Sequence, residues 1–146
     1  PKHVIEQLRC YKQQNRIKQT DELWLVIDKD RWPEQQLSEV AAECSTNRYE
    51  LGLSNPCFEI WLVLHYQDLS ALAETEKRLL CSSRHTKTRW SEIKNRETIK
   101  NFMQLTERIN TAVVNAEKLD TDKSVRWLNT LGSRVYKLAK SILENT

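Results

Sequence analysis

The spacing of apolar positions divides the first part of the chain into alternating helices and strands. Val4, Ile5, Leu8 and Tyr11, with Cys10 beside them, recur at helical spacing over residues 2–15. Residues 23–27 form an unbroken apolar run rich in strand formers, as expected for a strand buried on both faces of a parallel sheet. Pro33 suits the first turn of a helix, and Leu37, Val40, Ala41 and Cys44 supply its inner face. A second short strand is predicted over residues 49–53. After it, Asn55 reads as a helix cap and Pro56 as the first position of a helix over 57–66, apolar nearly all round.

Beyond Ser70 the pattern is helical throughout. Leu69, Leu72, Ala73, Leu79 and Leu80 make one face. A long helix is predicted over 96–119, with Ile99, Phe102, Met103, Leu105, Thr106, Ile109, Val113 and Ala116 inward. Residues 125–143 carry a further apolar stripe that Gly132 breaks in two. The expected fold class is therefore α/β: a small parallel sheet in residues 1–68, with an all-helical C-terminal extension over 69–146, in a single domain. Two strands are too few for a stable sheet. The first helix also has no strand ahead of it, so a further strand is expected to precede Pro1.

Composition narrows the chemistry. At 146 residues, 39% hydrophobic and 29% charged, the chain reads as one soluble globular domain. No segment approaches the roughly 20 apolar residues of a membrane span. Cys10, Cys44, Cys57 and Cys81 stand far apart and read as small buried apolar groups of a reducing compartment, here the cytoplasm. Without paired ligands, structural zinc is disfavoured. The two glycines are too few for a phosphate loop or a dinucleotide fingerprint, and no G-x-S-x-G is present. Residues 1–70 hold eight basic and eleven acidic side chains, a net −3. The remainder holds fifteen and nine, a net +6. An acidic half beside a basic half suits a metal centre next to an anion-binding surface, or two halves that attract each other.

The candidate chemistry begins where the first strand ends, at Asp28-Lys29-Asp30. If the chain stays extended, the two carboxylates project the same way. Such a pair calls for a positive partner, for which Mg²⁺ is the natural choice. The alternative is a turn made by polar residues, and Lys29 is expected on the other, solvated side. Glu59 is a lone acid in a very apolar helix. It either complements the helix dipole or needs a metal, lysine or backbone partner. His65 does not share its helix face and reads as a satisfied core histidine. Arg84, Lys87, Arg89, Trp90, Lys94, Arg96 and Lys100 form a basic segment able to follow a phosphate backbone, with Trp90 stacking on a base. The alternative is a solvated segment with Trp90 in the core.

A strand ending in D-x-D, followed after a helix and a strand by Ser54-Asn55-Pro56-Cys57-Phe58-Glu59-Ile60-Trp61-Leu62-Val63-Leu64-His65-Tyr66, resembles the RloB-like family of bacterial restriction and phage-defence loci. The likeness is strong over residues 21–66 and loose beyond. It implies a topoisomerase–primase (Toprim) type of fold and Mg²⁺-dependent phosphodiester chemistry in defence against mobile DNA. Asp28 and Asp30 would be the D-x-D metal ligands. Glu59, Asn55 and His65 fall in the family's own signature, and the resemblance implies a site role for Glu59 and Asn55. The chain departs from the Toprim pattern in two ways: no first-strand glutamate is present, since Glu6 lies inside a helix, and Arg31 stands where a glycine often follows D-x-D. The competing expectations are a non-catalytic subunit binding nucleic acid or a defence-system protein, and an oligomerisation module.

Overall fold

The computed structural model describes residues 2–99 and 103–145. The predicted inward Phe102 and the predicted basic contact Lys100 lie outside the described residues. Helix α1 (Lys2–Gln14) precedes strand β1 (Trp24–Asp28), helix α2 (Glu34–Asn47) and strand β2 (Glu50–Asn55). Then come α3 (Glu59–Leu64), a 3₁₀ turn (Leu69–Ala71), α4 (Glu74–Leu80), α5 (Ser83–Arg96), α6 (Met103–Thr106) and α7 (Ile109–Leu119). Strand β3 (Gly132–Ser133) and helix α8 (Val135–Glu144) finish the chain.

The sheet order is β1-β2-β3. β1 and β2 pair in parallel, with Asp28 opposite Ser54, and α2 makes the crossover that parallel pairing requires. β3 corrects two expectations. It runs antiparallel to β2, with Ser54 opposite Ser133, so the sheet is mixed and the C-terminal part is not all helical. Residues 125–131 are not helical either. Trp127 and Leu128 instead pack with Ile5, Leu25, Leu37 and Leu53 in the core beneath the sheet. A second core gathers around α3, where Ile60, Val63 and Leu64 meet Leu80, Ile93, Ala112 and Tyr136.

Among the described residues, the predicted long helix over 96–119 is broken into the end of α5, α6 and α7. α5 ends at Arg96 because Thr98 turns into the left-handed region (φ 53°), while the Ile99 amide returns a hydrogen bond to the Lys94 carbonyl at 3.1 Å. Met103, predicted inward, is exposed, and so is Leu79 of α4. The capping role read for Asn55 is also overturned. β2 continues through Asn55, the Asn55–Pro56 peptide bond is cis, and α3 starts only at Glu59. All four cysteines are free, but only Cys44 and Cys57 are buried; Cys10 and Cys81 lie on the surface.

β1 is an edge. Its Leu23 carbonyl and Lys29 amide bond to β2, which by the two-residue repeat turns the main-chain groups of Trp24, Val26 and Asp28 outward. Beside that edge Val4, Val26, Trp32 and Phe58 are all partly exposed and line a cleft of about 470 Å³ with Asp28. Among the described residues, no helix is long and apolar enough to cross a membrane.

Candidate carboxylate site

Two main-chain bonds fix the turn that follows β1. The Lys29 amide donates to the Ser54 carbonyl (2.8 Å) and the Asp30 amide to the Pro56 carbonyl (3.1 Å). Extended backbone stops at Asp28, so Asp30 is held by this turn and not by strand alternation. Both acids nonetheless sit at the carboxyl ends of the parallel strands, the usual side for function in α/β sheets. Lys29 is half-buried overall, and its Nζ makes an exposed hydrogen bond to Asn129 Oδ1 at 2.8 Å.

Asp28 is half-buried, and burial is the main cause that raises its pKa. The Phe58 amide works the other way by bonding to its carboxylate. The charges of Asp30 and Glu59 raise the pKa further, and Lys87 lowers it. These influences make Asp28, Asp30, Glu59 and Lys87 electrostatic neighbours. Glu59 opens α3, and the buried Cys57 lies against it; burial and Glu59 push that thiol up to about 12, so it stays protonated. Ser83, at the start of α5, donates its hydroxyl to Asp30 Oδ2. Ser83 was not legible as a site residue, because nothing in local spacing brings α5 to the end of β1, and Cys57, two residues before Glu59, read only as a buried apolar group.

The basic segment is helix α5, and helical rotation of about 100° per residue separates its side chains. Ser83, Lys87 and Lys94 share one flank, next to Arg84; Lys87, Lys94 and Arg84 are exposed. Arg89 lies on the opposite flank with Arg96, its guanidinium 3.8 Å from Glu76. Trp90 is partly buried against the α3 core, its ring 6.4 Å from that of Tyr66. One flank therefore adjoins the carboxylates, and the other does not.

The remaining signature residues are structural in position. Asn55 Nδ2 donates to the Thr130 carbonyl (2.8 Å) and to that of Leu128 (3.3 Å), tying the end of β2 to the loop ahead of β3. His65 is buried, donates from Nδ1 to the Trp61 carbonyl (2.9 Å) and meets the Trp61 ring edge-on. Burial holds its pKa low, so it is neutral near pH 7. A second polar cluster had no sequence signal. Buried Arg134 grips both oxygens of Asp120 (3.0 and 2.9 Å) and the carbonyls of Val125 and Asp122, and the Tyr136 hydroxyl donates to Asp120 at 2.9 Å.

Among the described residues no three His, Cys, Asp or Glu side chains stand as a ready metal-holding group. Mg²⁺, however, is commonly bound through one or two carboxylates, with water completing its shell. A half-buried Asp28 whose ionisation is opposed by two neighbouring acids fits that donor set.

What this geometry defines is a small mixed α/β domain with an acidic cluster where its parallel strands end. The chain belongs to the RloB-like family: the family model described as RloB-like protein matches residues 1–142. No curated protein and no solved structure matches it.

Proposed function

We propose that this RloB-like chain is a Toprim-type, Mg²⁺-dependent nuclease domain that acts on nucleic acid in the bacterial cytoplasm as part of anti-phage defence. The observation that carries this reading is the neighbourhood of Asp28, Asp30 and Glu59 at the strand ends, with Lys87 beside them. Three acids against one lysine leave negative charge that a hard divalent cation would offset. Asp28 and Asp30 would hold the ion, and Glu59 would either join them or orient a bound water. Such an ion supplies charge neutralisation at a phosphate and a more acidic water. Ser83, hydrogen-bonded to Asp30 Oδ2, would compete with the ion for that oxygen. Lys87, next to the acids, is positioned to meet a phosphate oxygen, while Arg84 and Lys94 on the same side take neighbouring phosphates along the strand.

The second reading is a non-catalytic subunit that binds nucleic acid or a defence-system protein. One observation favours it: Asp30 Oδ2 already accepts the Ser83 hydroxyl, which leaves that carboxylate less free for an ion.

Cleavage of end-labelled DNA and RNA by the full-length protein, with Mg²⁺ and with EDTA, separates the two. The nuclease reading expects cleavage that EDTA stops and that Asp28→Asn or Asp30→Asn lowers at least a hundredfold, alongside Mn²⁺ binding by calorimetry. Wild-type cleavage by both variants would sink it. Salt-sensitive binding that EDTA does not change, without cleavage, establishes the second reading.

A further inference from the structure

At the start of β2, the end opposite the carboxylates, a cleft of about 440 Å³ opens between α2, β2 and α8. That volume lies within the range that holds small organic ligands, about 300–1,000 Å³. Cys44 and Leu51 contribute an apolar wall, and Arg126, Arg134 and Lys137 contribute the cations, with Glu50 as the one acid lining the cleft. Arg134 is balanced by Asp120, as described above. Arg126 is exposed and has no ion-pair partner among the described residues.

Lys137 is the unusual member. It is half-buried, yet no hydrogen-bond or ion-pair partner for its ammonium is found among the described residues. The other half-buried lysines are satisfied: Lys29 by Asn129, Lys77 by Glu74 and Lys140 by Glu117. Burial is the largest influence against its charged form, with Arg134 and Lys123 adding to it, while the charges of Asp120 and Glu50 offset part of that without bonding to the ammonium. A lysine partly removed from water, facing a cleft with a second unpaired cation, is completed by an anion entering from solvent.

We propose that this cleft binds a phosphomonoester, with Lys137 and Arg126 on the phosphate and the apolar wall against the rest of the molecule. The group could arrive on a free nucleotide or as the 5′ end of a nucleic-acid strand. The site is separate from the carboxylates and does not rest on the metal reading.

Titration calorimetry on the full-length protein tests this with inorganic phosphate, a nucleoside 5′-monophosphate, and one oligonucleotide carrying either a 5′-phosphate or a 5′-hydroxyl. Inorganic phosphate is expected to bind, and Lys137→Met is expected to weaken it at least tenfold. Unliganded Lys137→Met should melt no lower than wild type, because an unpaired cation has been removed. This shows that the loss of binding is not loss of fold, and Arg126→Met on the surface provides an independent second variant. Tighter binding of the mononucleotide than of either oligonucleotide identifies the small-molecule source. Preference for the 5′-phosphorylated oligonucleotide over its 5′-hydroxyl form identifies a strand end. Both support the proposal. It is overturned if inorganic phosphate fails to bind at millimolar concentration, or if both variants bind it as tightly as wild type.

Discussion

The Ser83 hydroxyl donates a hydrogen bond to Asp30 Oδ2, joining residues 53 positions apart and fastening the start of α5 to the turn after β1. This contact sets both the position of Lys87, one helical turn further on, and the freedom of Asp30. Ser83→Ala is expected to cost about 1 kcal/mol in urea unfolding, as for a single partly exposed hydrogen bond. Under the metal reading it should also tighten Mn²⁺ binding a few-fold, because Asp30 is released. Unchanged or weaker Mn²⁺ binding would show that the serine helps to shape the ligand set instead of competing with it.

Asp28 gives the site a pH signature. Its folded pKa is raised, first by burial and then by Asp30 and Glu59. Folding therefore favours the protonated acid. Its stabilising contribution is present below the ordinary carboxyl pKa of 3.8 and is lost as pH rises through the higher folded value. In metal-free buffer Asp28→Asn should be more stable than wild type at pH 7, with the gap closing towards pH 4. Urea melts across that range read the difference directly, and a variant less stable than wild type at pH 7 would contradict this account.

The Asp120–Arg134 pair is almost fully buried, with side-chain exposures of 0% and 4%. Removing one partner strands a charge among apolar groups, so Asp120→Asn or Arg134→Met should each cost about 3–5 kcal/mol. The double variant should cost clearly less than the two added together, since it leaves no uncompensated charge. Thermal melts of the three proteins suffice to decide this.

Gly132 begins β3 at φ +155°, and a Cβ there would stand 3.3 Å from Leu128 Cδ1 and 3.5 Å from Leu119 Cβ. Gly132→Ala is expected to destabilise by about 1–3 kcal/mol from backbone conformation and crowding together. The same change at Gly52, where a Cβ would find ordinary contacts at 3.5 Å or more, should cost less. Equal losses at the two positions would remove the conformational argument.

The first half of the chain was legible because its elements follow simple periods. The apolar run ahead of Asp28 is a strand, and α1 and α2 are helices, although of the predicted α1 stripe only Ile5 is fully buried. Asp28 and Asp30 influence each other electrostatically, with Asp30 held by a turn and not by strand alternation. Asn55-Pro56 misled because the same dipeptide that opens a helix also suits the end of a strand with a cis bond. Trp127, Leu128 and Leu131 misled for a different reason: three apolar residues at helical spacing are also what a loop needs in order to bury itself in a core. Contacts between distant segments left no trace in local pattern. Ser83 with Asp30, Asn55 with Thr130, and Arg134 with Asp120 are all set by packing, which no period encodes.

The outer border of β1 has a wider consequence. Outward-facing main-chain groups at Trp24, Val26 and Asp28, beside the partly exposed Val4, Trp32 and Phe58, make it an adhesive seam. An extended ribbon laid along it would gain a hydrogen-bonded ladder and apolar shelter at once. It would also rest against Asp28 and shield that acid from solvent. Any strand that paired there would therefore also shift the charge state of Asp28.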